Sequence, residues 1–249
     1  MRSLLFATLL VCCGALSAQV VVLNGASSRV GQPVTGGSWA TAYGTFPNVT
    51  QATASVSPIP KTLGGVTVTV NGVAAPVYFV SPTQVNFLVP FAVTAGVRDV
   101  EVKTSSATLT GTVRVMSAAP GIFVNLPSTS AVPPGGAVLN QDFSINSQSA
   151  TARRGQVIQI YATGPGALSR AIEDGAAAPS SPLALTTSTP EVFIGGVPAI
   201  VQFSGMAPGF SGLWQINAFV PDRAFITGRV PLQVFMDGVD SNEVSIFVQ

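Results

Sequence analysis

Histidine is missing from all 249 residues, and cysteine occurs only as Cys12 and Cys13, inside the first apolar stretch. Without them the Ser–His, Cys–His and His–metal arrangements behind much nucleophilic and metal-centred catalysis cannot be built. Lysine is nearly absent too: Lys61 and Lys103 are the pair, and neither sits in a Ser-x-x-Lys pattern. Only 8% of residues are charged, 11 basic against 10 acidic, with no block of one sign. Nucleic acid binding needs a basic face, and none is visible. Glu and Lys, which favour helices, give way to Thr, Ser, Val, Gly and Pro. That is the composition of an all-β protein with many turns.

The N-terminus reads as an export signal. Arg2 precedes an apolar run, Leu4 to Leu16, too short to span a bilayer comfortably, and Ala15, Ser17 and Ala18 supply small residues for cleavage. Cys12 follows Val11 and Cys13 follows Cys12, so neither has the small residue that normally precedes a lipidated cysteine. Cleavage is expected near Ala18, giving residues 1–18 as signal peptide. It removes Arg2 and both cysteines. The mature chain is then neutral and cysteine-free, without a transmembrane segment, and depends on sheet packing rather than disulfides.

What is present is a duplication. Gly64 to Pro90 and Glu191 to Pro221 each pass through an Asn-Gly or Gly-Gly turn and a Val-x-Ala step, and each ends on Gln-x-Asn-x-x-Val-Pro. Val-Leu-Asn recurs at 22–24 and 138–140, and Tyr43 finds a counterpart in Tyr161. An offset of about 115 to 130 residues is too long for a solenoid unit and suits a small β-sandwich. Val66, Val68 and Val70 alternate with threonines ahead of Asn71-Gly72, a strong hairpin signal. Val73 to Val80 reads as one returning strand, residues 45–62 and 125–137 as loops, and Ala118 to Phe123 as a joint broken by Pro and Gly. The spacing predicts two tandem immunoglobulin-like sandwiches, 19–118 and 119–249, the second with longer loops.

The segments LGGVTVTVNGVAAPVYFVSPTQVNFLVP, AAPGIF, LNQD, ARRGQVIQIYATGPG, EDGAAAP, IGGVPA, APGFSGLWQIN and GVDSN cover nearly the whole mature chain. They resemble the Solibacter-type uncharacterized C-terminal domain of secreted acidobacterial proteins. Each half is also similar to the IPT/TIG immunoglobulin-like group. The resemblance implies fold and export and transfers no catalytic residue. Members usually end long exported proteins; here the domain is expected to make up the entire mature chain.

Candidate sites are few. Glu173 and Asp174 are adjacent in a Gly/Ala/Pro loop, which suits solvation better than paired-carboxylate chemistry. Asp237, Asp240, Asn242 and Glu243 crowd one hairpin without EF-hand spacing, so calcium is the one cofactor left open. Arg153-Arg154 opens a strand, with surface or inter-domain hydrogen bonding as its expected role. Gln84 with Asn86, and Gln215 with Asn217, lie two apart on one strand face, and are read as structural polar pairs satisfying a neighbouring loop's backbone. Trp39, Tyr43, Phe210 and Trp214 are alternative sugar-stacking residues, though aromatics alternating on strands more often fill a core. Any ligand or partner contact is expected at loops of the second copy, through Phe210, Trp214, Asp237, Asp240 and Glu243.

The function expected from sequence is an exported, non-catalytic structural or adhesive module, extracellular, periplasmic or at the cell surface. Its partner would be a cell-envelope or extracellular protein or a glycan. A surface carbohydrate-binding module is the alternative, and a carboxylate-dependent glycoside hydrolase a more distant one.

Overall fold

Valines alternating with polar residues bury one face of a strand and wet the other. The computed structural model of the chain, which describes residues 19–126 and 133–249, sets these runs into four sheets. Residues 1–18, where the signal peptide is expected, and residues 127–132 lie outside the described residues. Among the described residues no helix is long and apolar enough to cross a membrane.

In the first copy one sheet runs β1 (Val21–Asn24), β2 (Trp39–Tyr43), β8 (Gln84–Leu88), β7 (Val77–Val80), β3 (Ala52–Thr53). The facing sheet runs β10 (Thr108–Val115), β9 (Gly96–Lys103), β5 (Val66–Val70), β4 (Thr62–Leu63), with β6 (Val73–Ala75) also on β5. Val66, Val68, Val70, Val85, Phe87, Val100 and Val102 are fully buried between them.

The second copy repeats this plan. β14 (Val138–Leu139) and β11 (Gly121–Ile122) both pair with β15 (Val157–Thr163), followed by β19 (Trp214–Phe219) and β18 (Val201–Met206). Opposite lie β12 (Val124–Leu126), β13 (Gly135–Gly136), β22 (Val244–Val248), β20 (Gly228–Met236), β16 (Glu191–Ile194) and β17 (Val197–Ala199), with β21 (Val239–Asp240) on β20. The order β1-β2-β8-β7 therefore recurs as β14-β15-β19-β18, and β10-β9-β5-β6 as β22-β20-β16-β17. Register recurs with it: Tyr43 faces Gln84 as Tyr161 faces Gln215, and Thr41 faces Asn86 as Gln159 faces Asn217. Even the irregularity is duplicated, between Val77 and Phe79 and again between Val201 and Phe203. The chain is a pair of tandem immunoglobulin-like sandwiches of one design.

Three local expectations change. Val73 to Val80 is two strands in opposite sheets, separated at Pro76, whose missing N–H suits the point where the chain leaves one ladder for the other. β17 and β18 make the same crossing around Ile200. The 45–62 stretch contributes the short strands β3 and β4, and the 125–137 stretch, also expected as a loop, contributes to β12 and β13. At the joint, Gly121 and Ile122 pair with Thr163 and Ala162, so this stretch joins the second copy's sheet instead of interrupting it.

The two copies are sewn together. Asn24, fully buried, donates from Nδ2 to the carbonyls of Ala119 and Pro33, both at 3.2 Å. Gln32 Nε2 donates to Pro120 O at 2.5 Å and Asp240 O at 3.3 Å. The Trp39 backbone N–H donates to Thr163 Oγ1 at 2.9 Å, and that hydroxyl donates to Gly212 O at 3.0 Å. The second copy's long 165–190 segment also reaches across. Ile59 N donates to Gly175 O at 2.9 Å, and Phe91 N to Asp174 Oδ1 at 2.9 Å.

Candidate functional site

The seam sets the end of β15 against the start of β2, so the β1-β2-β8-β7 sheet follows the β15-β19-β18 sheet end to end. Their outward faces meet there. On β2, Ala40 and Ala42 turn into the core while Trp39 and Tyr43 turn outward; Thr41, between them on the outer face, is covered by its neighbours. Tyr78, next to the irregularity in β7, crosses the Trp39 ring edge-on, with centroids 5.3 Å apart. Phe123 lies opposite Tyr161, its N–H donating to Tyr161 O at 3.0 Å. It closes a cavity of about 160 Å³ with Gly25, Trp39, Thr41, Tyr78 and Asn86. Phe123 thus carries the second copy's outer face onto that of the first.

Each copy places an amide pair on this face. Gln84 Nε2 donates to Asn86 Oδ1 at 2.7 Å, and Gln215 Nε2 to Asn217 Oδ1 at 2.9 Å. The expected bond to a neighbouring loop's backbone is replaced by a bond within the pair. Residues two apart on one strand face stand close enough to meet. Tyr161 donates its hydroxyl to Gln159 Oε1 at 3.0 Å, and burial pushes its phenol above the ordinary pKa. Among the described residues, neither sheet carries Asp, Glu, Lys or Arg in any of its strands. The opposite sheets hold Arg98, Asp99, Glu101, Lys103 and Arg114 in one copy, and Glu191, Arg229 and Asp240 in the other. One side of each sandwich is charged; the other is neutral, aromatic and amide-bearing.

No family model and no curated protein matches the chain. Solved structures do. SGBP-B of the Bacteroides ovatus mixed-linkage glucan utilization locus, solved with a mixed-linkage heptasaccharide, aligns over 90% of this chain and 45% of its own at 14% identity and a TM-score of 0.35. SGBP-B from a Bacteroides uniformis xyloglucan utilization locus aligns over 93% and 48% at 14% identity and a TM-score of 0.26. A titin Ig tandem aligns over 94% and 98% at 7% identity and a TM-score of 0.23. The chain spans less than half the length of the two Bacteroides proteins. At these scores the alignments add nothing to the sandwiches read directly from strand pairing.

The residues singled out in the sequence scatter. Trp214 is fully buried in the second core, its indole N–H donating to Ser204 Oγ at 3.0 Å, so it is no surface contact: even positions of β19 face inward. Trp39 and Tyr43 lie on the outer face instead of the core expected for alternating aromatics, because the alanines between them take the inward positions. Phe210 is 59% exposed in its Gly-rich loop. Asp240 pairs with Arg29 at 3.0 Å across the seam, both half-exposed. Asn242 spends its amide on Ile122, accepting from its N–H at 2.8 Å and donating to its carbonyl at 3.0 Å. Among the described residues, Asp237, Asp240 and Glu243 form no cluster of three carboxylates able to hold a metal. Of the Glu173–Asp174 pair, Asp174 accepts from the Phe91 N–H across the seam. Arg153 and Arg154 precede β15 in a turn instead of opening it, and Arg154 reaches the carbonyls of Ala224 and Ile226 at 3.5 and 3.4 Å.

Sequence reasoning missed Tyr78 and Phe123. Tyr78 sits at the irregularity where alternation is interrupted, and Phe123 in a stretch read as a broken joint. The Tyr43/Tyr161 and Gln/Asn repeats were the available signal, since outward positions have no core-packing reason to repeat.

Proposed function

We propose that this chain is an exported, non-catalytic module of two fixed sandwiches that acts by surface contact at the cell envelope or outside the cell. The seam carries this reading. Side chains of one copy donate to backbone carbonyls of the other at Asn24 and Gln32, both buried, and at the half-buried Trp39. Losing such bonds would leave buried carbonyls unpaired, so the copies move as one body and present one continuous surface. The histidine-free composition and the dispersed carboxylates agree with a role in contact. Export rests on the N-terminal segment and a sequence without cysteine beyond it. Membership of the Solibacter-type family belongs to the same proposal, and another member should repeat the Tyr–Gln and Asn register.

Backbone relaxation by NMR should return one rotational correlation time for both copies, that of a single elongated body. Independent tumbling of the halves would refute the fixed arrangement. Release of product from a panel of glycoside and ester substrates would refute the non-catalytic part.

A further inference from the structure

We infer that the neutral outer face spanning the seam, centred on Trp39, Tyr78 and Asn86, is a binding site for an uncharged polysaccharide chain. This rests on the surface-contact reading and names the ligand class and its location. The face combines the two things a pyranose requires. Its axial C–H groups need electron-rich ring faces, and Tyr43 and Tyr78 are both more than a third exposed on either side of the amide pair. Its hydroxyls need donors and acceptors held in place. Within the Gln84–Asn86 bond one donor and one acceptor are used, which fixes both side chains. Gln84 Oε1 and Asn86 Nδ2 are left without a protein partner among the described residues, one acceptor and one donor side by side. Gln215 Oε1 and Asn217 Nδ2 repeat that pairing in the second copy.

The cavity between Trp39, Tyr78, Phe123 and Asn86, about 160 Å³, has the bulk of one hexose unit. A few polar groups in an aromatic lining is the usual make-up of a small-molecule site. Its position at the seam makes the site longer than one sugar. The Thr41–Asn86 row and the Gln159–Asn217 row are separated by about 25 Å along the strands, at about 3.3 Å per residue with one step across the seam. That separation calls for a chain. The lack of Asp, Glu, Lys and Arg in these strands, against their concentration in the opposite sheets, selects a neutral one over a uronate or sulfated glycan.

The test uses the full chain and isothermal titration with hexaoses of β-1,4-glucose, β-1,4-xylose, β-1,4-mannose and β-1,3-glucose, and with galacturonic hexaose as the charged control. At least one neutral hexaose should bind saturably and the galacturonic one should not. Tyr78→Ala and Asn86→Ala should each weaken binding at least tenfold with unchanged melting temperature, and Phe210→Ala should leave it intact. Asn217→Ala should weaken the hexaose and leave the matching disaccharide unaffected. Failure of every neutral hexaose to bind overturns the inference, as does binding indifferent to Tyr78→Ala and Asn86→Ala. Capture of a protein through Tyr78 and Asn86, with no glycan bound, also overturns it while leaving the surface-contact reading standing. Reducing ends released from a bound hexaose would instead sink the non-catalytic reading alone.

Discussion

Asn24→Ala probes the seam most directly. Asn24 is fully buried; its Nδ2 donates to Pro33 O and Ala119 O at 3.2 Å, and its Oδ1 accepts from Ala26 N at 3.1 Å. Truncation leaves the two carbonyls without that donor in a place water does not reach. Each unsatisfied buried group costs about 1–3 kcal/mol, and carbonyls fall toward the lower end, so about 2–4 kcal/mol is expected. For a unit of this size 1 kcal/mol moves the melting temperature by about 2–4 °C, which predicts a fall of about 5–15 °C. The repeat supplies its own control. Asn140, the matching residue of the second copy, bonds Ser144 Oγ at 3.0 Å and Ala150 O at 2.8 Å, wholly inside its copy. Scanning calorimetry of Asn24→Ala should resolve two transitions where the parent has one, whereas Asn140→Ala should lower a single transition. A melting temperature for Asn24→Ala within about 1 °C of the parent would refute the reasoning, because the cost assigned to two buried carbonyls would be missing.

Gly212 has φ +66, and a Cβ there would run into Leu88 and the Trp39 indole across the seam. Gly212→Ala should cost about 2–4 kcal/mol in urea denaturation, from overpacking and backbone strain together, and a neutral result would mean the seam is loose. Trp214→Ala empties the second core and should cost about 3–5 kcal/mol by the same measurement, with loss of near-UV circular dichroism. Phe210→Ala, at an exposed loop position, should shift stability by less than about 0.5 kcal/mol, and a larger drop would place its ring in packing.

The architecture was legible in the chain because its signals are local and repeated. Val66, Val68 and Val70 alternate, Asn71-Gly72 turns, and Gln-x-Asn-x-x-Val-Pro recurs; each depends on residues a few positions apart and on the two-residue period of a strand. The crossing of sheets at Pro76 was hidden, since Val-Ala-Ala-Pro-Val-Tyr-Phe-Val is apolar on both sides of the proline and periodicity carries no sheet assignment. The site was legible only in pieces. Trp39, Tyr43, Gln84 and Asn86 stood out by type and spacing, but their direction did not, because an alternating strand has two faces and the sequence does not name the inner one. That was settled by Ala40, Ala42, Val85 and Phe87 entering the core. Tyr78 and Phe123 came to Trp39 only through the irregular pairing of β7 and the docking of one copy on the other, contacts between residues far apart in the chain. Local periodicity determined that there are two sandwiches; which aromatics share a surface was decided by how those sandwiches meet.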